Sequence, residues 1–311
     1  SRFWLYTGIA NLLKRRIMKA KRKNKDGMWA LFFLAPAIIG LCVFTVYPLF
    51  ESFHISLTSW DLFSDKVFVG FKNYIDFFKD PTGRKAFRNT IVFTLIVVPL
   101  QLIVSFFLAV ALNQKIRGVR FFRGAFFLPT IASMVSISIV WQWLFNTDFG
   151  IINYVIELLG GTRINWLTST RYSLWAIIIV SCWKGMGYHM MIFLAGLQAV
   201  PSTYYEAAEI DGCVGLRRLV KIVIPLIKPT ILYSSITCII NSMQVFDQVM
   251  IITGGGPARS SSVLIQYLYE NAFDYYKMGY ASAIGWIIAI FIFVLSALQF
   301  KFMDSKDYSI E

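Results

Sequence analysis

Long hydrophobic runs alternate with polar segments along the chain, and this alternation is its main structural signal. Each run approaches or exceeds the roughly 20 apolar residues that a helix needs to cross a hydrocarbon layer of about 30 Å. The runs are too long for the strands of a membrane barrel, which have about 9 to 11 residues. The pattern therefore predicts an all-α integral membrane protein with six transmembrane helices. The six runs cover residues 28–50, 89–112, 124–145, 173–198, 228–252 and 279–302.

Composition and charge agree with a membrane location and indicate an orientation. Hydrophobic residues make up 57% of the chain, and the formal net charge is +13. Such a charge can indicate nucleic-acid binding, but here a basic tract directly precedes the first run, and such a tract holds that end of a span in the cytoplasm. We therefore predict membrane lipid as a partner, no nucleic acid, and cytoplasmic N- and C-termini. The tract consists of Lys14, Arg15, Arg16, Lys19, Lys21, Arg22, Lys23 and Lys25.

The runs divide the chain into one membrane domain with short appendages. The basic segment is either a helix on the membrane surface or a partly ordered tail, because its apolar residues recur at helical spacing beside basic ones. The first run is long and lacks a small-residue cleavage site, which favours a span over a signal peptide. The predicted parts are a basic cytoplasmic segment at 1–27, the first transmembrane helix at 28–50, an external segment at 51–88, a core at 89–304 and a cytoplasmic tail at 305–311.

The most specific polar feature is the loop between the fourth and fifth runs, residues 201–229. Its Thr203 and Glu206 have the spacing of a capping box, in which two side chains bind free backbone amides at a helix start. Pro201 and Gly212 then limit a helix of two or three turns, and a second short helix follows. Glu206 serves either this cap alone or a partner protein, and the local sequence leaves both alternatives open.

The spaced residues of this loop resemble the cytoplasmic loop by which membrane subunits of bacterial ATP-binding-cassette (ABC) importers contact their ATPases. The resemblance extends over about residues 28–302 and is to the first permease of maltose, multiple-sugar and glycerol-phosphate systems. It implies the type I importer permease fold with a cytoplasmic coupling helix, and we call residues 201–229 the coupling loop. The matching residues are Glu206-Ala207-Ala208, Asp211-Gly212, Ile222, Pro225 and Pro229, and the resemblance implies ATPase docking by Glu206, Ala207, Ala208, Asp211 and Gly212.

The same resemblance implies an assembly in the cytoplasmic membrane of a bacterium. The expected partners are a second, homologous permease, two ATPase subunits and an extracytoplasmic solute-binding protein. ATP and magnesium are then bound by the ATPases, so this chain is not expected to be an enzyme or to hold a cofactor. With four cysteines and two histidines in no ligand spacing, no metal site is predicted either.

Polar side chains cluster on helix faces within three of the runs. Because polar groups inside a membrane are costly, such faces line either a helix contact or a polar pathway, and both alternatives stay open on the pattern alone. The candidate solute contacts are Lys184, Tyr188, Thr237, Asn241, Gln244, Thr130, Met134 and Trp141.

The resemblance to the maltose-importer permease adds roles to some of these positions. It brings Tyr188, Thr237 and Asn241 onto sugar-contacting positions, and Thr130 and Met134 onto a weaker match. The resemblance therefore implies import of a sugar or oligosaccharide. Lys184 replaces an apolar residue of the maltose type, which raises the hypothesis of an acidic sugar or, alternatively, an ordinary bond to a neighbouring helix.

Other functions remain as alternatives with distinct signatures. Import of another polar solute, such as glycerol phosphate, fits the same architecture. An ion-coupled carrier would favour repeated broken helices and buried acids, and a membrane enzyme would need a reactive group of residues that the spans do not offer. The glycine-rich sequence at 253–257 lacks the Gly-Lys-Ser/Thr that completes a phosphate-binding loop, so it is not expected to bind ATP.

Overall fold

The computed structural model describes residues 30, 32–114 and 117–303, and helices dominate this part of the chain. Two strands of two residues, β1 (Thr58–Ser59) and β2 (Val67–Phe68), pair antiparallel beside them. The helices are α1 (Phe32–Ser56), α2 (Lys72–Lys79), α3 (Pro81–Leu112), α4 (Val119–Ile131), α5 (Met134–Leu144), α6 (Ile151–Leu158), α7 (Ser173–Ala199), α8 (Ser202–Ile210), α9 (Gly215–Leu226), α10 (Lys228–Met243), α11 (Leu264–Tyr269) and α12 (Met278–Met303).

The predicted all-α membrane architecture is confirmed. Within the described residues, α1, α3, α7 and α12 are each long and apolar enough to cross a membrane, and the number of candidate spans is six when each of two bent pairs of helices counts as one span. The chain divides into two compact units, Ser1–Ile55 and Ser56–Glu311. The described part of the first unit is helical, and the second unit holds every element from β1 onward. The predicted basic segment 1–27 and the tail 305–311 lie outside the described residues.

Helix α3 begins earlier than its hydrophobic run, which was predicted to start at 89. Asp80 caps the helix because its carboxylate accepts a hydrogen bond of 2.9 Å from the backbone amide of Thr82, and Pro81 occupies the first helical position. Proline is favoured there because its missing amide is not needed. The first two turns of α3 are thus polar, and they precede the apolar run.

The third span is not the single helix predicted over 124–145. Helices α4 and α5 meet at an angle of 100°, and Ala132 and Ser133 between them have extended backbone conformations. Pro129 lies near the end of α4, where its ring removes one backbone donor and favours termination. This break has no signal in the sequence because the apolar run continues through it.

The fifth span is also interrupted. Helix α10 ends at Met243 rather than continuing to 252, and a short π-helical turn at Val249–Thr253 follows a non-helical step. At its other end α10 meets α9 at 76°, with the bend at Ile227. The prolines at 225 and 229 therefore flank the point where the chain changes direction.

Helix α7 is the central packing element of the second unit, and it packs against α3, α4 and α10. Its glycines permit three close approaches. A methyl group at Gly187 would lie 2.1 Å from the carbonyl oxygen of Phe126 in α4, and methyl groups at Gly185 and Gly196 would lie 2.2 Å and 2.7 Å from side chains of α3 and α10. These neighbours fit only because α7 lacks side chains at those positions.

An apolar cluster packs the C-terminal half of α7 against the coupling loop. Residues from α3, α7, α9 and the bend at 227 are almost fully buried together, which stabilises the arrangement by removing apolar surface from its surroundings. The members are Ala109, Leu112, Met190, Phe193, Leu194, Leu197, Val223 and Ile227.

The segment between the first and second spans is anchored to α12 and α11. Asn73 of α2 donates hydrogen bonds of 2.8 and 2.9 Å to the carbonyl oxygens of Ser56 and Thr58. Asp80 accepts hydrogen bonds from the hydroxyl groups of Tyr267 and Tyr280 in addition to its capping bond. Partial burial acts to raise the pKa of Asp80, but these hydrogen bonds outweigh it and hold the pKa below its ordinary value.

Gly187→Ala is expected to destabilise the protein by about 1–3 kcal/mol, because the added methyl group must push the α4 backbone away. Gly124→Ala is the matched control, since a methyl group there meets nothing within 4 Å. Thermal unfolding of purified protein, followed by tryptophan fluorescence, should show a lower midpoint for the first variant and an unchanged or higher one for the control. Equal midpoints for both variants would contradict the close α4–α7 contact.

Asp80→Asn and Asp80→Ala separate the two roles of this carboxylate. Asparagine also caps helices, whereas alanine cannot, so the alanine variant should lose about 1 kcal/mol more stability than the asparagine variant. A carboxyl with a lowered folded pKa stabilises the protein above its unfolded pKa and loses that contribution as pH falls through the folded pKa. The stability gap between wild type and Asp80→Asn should therefore shrink on acidification; a gap that is constant with pH would contradict the assignment.

Candidate functional site

A cavity of about 380 Å³ lies among α3, α4, α5, α7 and α10. This volume falls in the range of about 300–1,000 Å³ that is typical of small-molecule sites. Hydroxyl and amide groups alternate with apolar and aromatic side chains around it. Its polar members are Gln101, Thr130, Ser181, Lys184, Tyr188, His189, Asn241, Ser242 and Gln248.

Five of the eight candidate solute contacts line this cavity together. They come from three separate spans, so the fold brings together positions that are up to 111 residues apart (241 minus 130). Tyr188 is the most exposed aromatic side chain that lines the cavity, at 36%. The five residues are Thr130, Met134, Lys184, Tyr188 and Asn241.

The other three candidates do not line the cavity. Trp141 instead packs against Phe145 in a tilted arrangement and against Trp183 edge-to-face, with ring centroids 5.3 and 5.4 Å apart. The hydroxyl group of Thr237 donates to carbonyl oxygens of its own helix, at 2.9 and 3.0 Å. Gln244 lies just beyond the end of α10, where the helical phase assumed in the sequence no longer holds.

Several lining residues were missed by sequence reasoning. Gln101 of α3 is a single amide within a long apolar run and therefore gave no periodic signal. Ser181 precedes Lys184 by one helical turn on α7, and its hydroxyl accepts a hydrogen bond of 2.9 Å from the Gln248 amide. The spacing of Ser181 and Lys184 at i and i+3 was a usable signal, because such residues share a helix face.

Hydrogen bonds between spans fix the polar wall of the cavity. The Nδ1 atom of His189 lies 2.7 Å from the Ser234 hydroxyl, which joins α7 to α10. The ring of His189 packs edge-on against Tyr188, with centroids 5.2 Å apart. His189 is almost fully buried, so this bond gives its imidazole a partner within the protein.

Lys184 reaches across the cavity wall to the end of α4. Its ammonium group donates to the carbonyl oxygens of Pro129 and Ala132, at 3.1 and 2.7 Å. The Thr130 hydroxyl donates back to the Lys184 carbonyl oxygen at 3.3 Å. Of the two alternatives for this lysine, the geometry shows the bond to a neighbouring helix.

The coupling loop contains the two short helices predicted for it. Helix α8 spans nine residues between Pro201 and Asp211, and α9 follows after Gly212, whose φ of +66° lies in the left-handed region. The predicted capping box is wrong, since α8 already begins at Ser202 and has no side-chain cap. Thr203 is thus inside the helix, and Glu206 has no capping role to compete with a partner.

The surface of the coupling loop is partly apolar. Among the candidate docking residues, Glu206, Ala207, Asp211 and Gly212 are exposed, whereas Ala208 is 2% exposed and packs within the protein itself. Exposed large apolar side chains lie beside them, and such patches often mark sites of protein contact. They include Ile210, Val214, Leu216 and Val220.

The glycine-rich turn, residues 253–262, is held by a dense set of hydrogen bonds. Lys85 and Asn89 of α3 donate to its backbone carbonyl oxygens at 2.6–3.0 Å. The Ser261 hydroxyl closes the turn internally by donating to Thr253 at 2.8 Å. The turn therefore holds α3 against the segment that follows α10. Residues 254–262 contain no helix N-terminus that could bind a phosphate group.

Comparisons with known proteins agree on one family. Residues 84–304 match the family described as binding-protein-dependent transport system inner membrane component. The lactose transport system permease protein LacF of Rhizobium radiobacter is 36% identical, over 86% of this chain and 91% of that protein. The sulfoquinovosyl glycerol transport system permease protein SmoG of Agrobacterium fabrum is 32% identical, over 91% and 92% of the two chains.

A solved structure supports the fold independently. A chain in the crystal structure of a bacterial alginate ABC transporter, in complex with an alginate pentasaccharide-bound periplasmic protein, superposes with a TM-score of 0.79. The match covers 91% of this chain and 96% of that chain, at 19% sequence identity. This similarity extends the agreement to the arrangement of the spans.

Proposed function

The chain belongs to the family of inner membrane components of binding-protein-dependent transport systems, and from this premise we propose that its cavity carries a sugar across the membrane. As an ABC importer permease it is a multi-pass membrane protein. The polar cavity between the spans is the observation that carries the proposal. Sugar hydroxyl groups pair with amides and hydroxyls, and aromatic rings cover the apolar faces of a sugar.

The chemistry of the cavity supports a neutral sugar most directly. Asn241, Gln248 and Ser181 supply uncharged donors and acceptors, and Tyr188 supplies an aromatic face. Two relatives are named for lactose and for sulfoquinovosyl glycerol, so sugar-containing solutes recur among similar permeases. An acidic sugar stays a prediction: sulfoquinovosyl glycerol carries an anionic sulfonate, whereas two of the three Lys184 donors of this chain already bond carbonyl oxygens.

The remaining parts of the importer follow from the family. We infer that a second permease completes the pathway, that two ATPases bind ATP and magnesium, and that both termini and the coupling loop lie in the cytoplasm. The exposed carboxylate of Glu206 and its apolar neighbours support docking of the coupling loop on an ATPase. A binding protein then delivers solute on the opposite side, beside the segment that joins α1 to α3.

Uptake by cells that express the complete importer distinguishes a sugar permease from an ion-coupled carrier and from an importer of another polar solute. The chain is expressed with its second permease, ATPases and binding protein in a host that lacks sugar ABC importers, and uptake of radiolabelled lactose, maltose, glucuronate and glycerol 3-phosphate is measured. We expect ATP-dependent uptake of a sugar that requires every subunit. Full uptake by this chain alone, driven by an ion gradient, would identify a secondary carrier, and uptake of glycerol 3-phosphate alone would identify the other polar solute.

Glu206→Gln should weaken coupling while the protein stays folded, since Glu206 has no cap to maintain. In the proposed docking the Glu206 carboxylate pairs with a basic residue of the ATPase, and removing one partner of a buried interfacial charge pair costs about 2–5 kcal/mol, so uptake should fall roughly tenfold or more. Glu209→Gln on the same helix is the matched control and should retain most of the uptake. Unchanged uptake and unchanged stimulation of ATP hydrolysis in Glu206→Gln would exclude Glu206 as a docking residue.

Asn241→Ala should raise the solute KM by about threefold to tenfold, the cost of one lost hydrogen bond of about 0.5–1.5 kcal/mol. Thr237→Val, one helical turn away, is the control and should leave KM within about twofold, because the Thr237 hydroxyl bonds its own helix. Initial uptake rates over a range of solute concentrations give both values. A larger effect for Thr237 than for Asn241 would place the solute one turn further toward the start of α10.

A further inference from the structure

The break between α4 and α5 creates a hydrogen-bonding problem inside the membrane. A helix end leaves up to four carbonyl oxygens without helical partners. In hydrocarbon each such group must be satisfied by protein or by a water-filled cavity. Here Ile131 ends α4 and two extended residues follow before α5, so the open carbonyls lie in mid-span.

The Lys184 ammonium group meets this need from a neighbouring helix. It bonds one carbonyl before the helix end, that of Pro129, and one after it, that of Ala132. A cation at a helix C-terminus is also favoured by the helix dipole. The ammonium group of Lys184 therefore stabilises the break through backbone carbonyl oxygens on both sides of it.

The contact is reciprocal and close to the cavity. Thr130 donates to the Lys184 carbonyl oxygen, and Thr130, Met134 and Lys184 all line the cavity. One turn further along α7, Gly187 lets the α4 backbone approach to direct contact. The start of α5, and with it the position of Met134, is therefore fixed relative to α7 at this point.

We propose that Lys184 is a positioning residue that clamps the broken third span to α7 and so shapes the solute cavity, rather than a residue that reads the charge of the solute. The inference rests on the proposed function of the cavity. Its distinguishing consequence is that neutral and acidic solutes lose transport by the same factor when the clamp is removed.

Three variants test the clamp in the assembled transporter. Lys184→Met removes the donors at similar length, Lys184→Arg restores charged donors, and Lys184→Gln keeps an amide donor if the methionine variant does not accumulate. Lactose and glucuronate are the probes. Lys184→Met should lower uptake of every accepted probe by the same factor, roughly tenfold or more, and Lys184→Arg should recover most of it. Selective loss of glucuronate, or unchanged uptake, would overturn the proposal.

Alkylation of native cysteines gives a readout that does not depend on transport. Cys238 lies in the cavity wall and Cys182 lies on α7 outside that wall, and both side chains are buried. With iodoacetamide and peptide mass spectrometry, Lys184→Met should accelerate alkylation of Cys238 by roughly fivefold or more while Cys182 stays protected, because only the cavity wall is released. Equal acceleration at both sites would indicate general destabilisation, and no acceleration at either would exclude the clamp. If wild type imports none of the sugars, the proposed function fails while this measurement still decides the clamp.

Discussion

Hydrocarbon offers no hydrogen-bonding partner, so each interruption of a membrane helix must be satisfied by the protein itself. Two spans of this chain are interrupted, between α4 and α5 and again beyond α10. Helix α7 stays continuous for 27 residues and supplies polar groups where its neighbours are interrupted. These polar groups compensate for the interruptions. Lys184 donates to backbone carbonyl oxygens at the first break, and near the second the Ser181 hydroxyl accepts from the Gln248 side chain. The cavity is lined by residues next to both interruptions.

The same helix links the cavity to the coupling loop. Fifteen residues separate Lys184 from Ala199, which corresponds to about 22 Å of helix at about 1.5 Å per residue. At its end α7 turns through Pro201 directly into α8, and the cluster around Leu197 and Val223 packs it against α9. A displacement of α8 would therefore reach the cavity through the well-packed helix α7 rather than through a flexible linker. This connection gives the proposed coupling of solute movement to ATP hydrolysis a physical basis.

Sequence reasoning succeeded where local chemistry controls the structure. The bounds of α7 and α12 follow from uninterrupted apolar runs with polar or proline ends, and the length of α8 follows from Pro201 and Gly212. It failed where a contact between residues distant in the sequence determines the local structure. The 100° bend after Pro129 is stabilised by Lys184, a residue 55 positions away in the sequence. A single straight helix through this bend predicts Trp141 among the solute contacts, whereas Trp141 packs in an aromatic cluster. Gln101 was missed because one amide in an apolar run has no period, and the capping box failed because α8 starts one residue before Thr203.

The central claim is that the solute crosses the membrane in contact with α7 and α10 of this chain. A structure of the assembled importer with its solute trapped between the two permeases tests it most directly. Solute density within hydrogen-bonding distance of Asn241 and stacked on Tyr188, with α8 seated in an ATPase cleft, is the predicted result. Solute density enclosed entirely by the second permease, with this cavity filled by side chains of that partner, would contradict it.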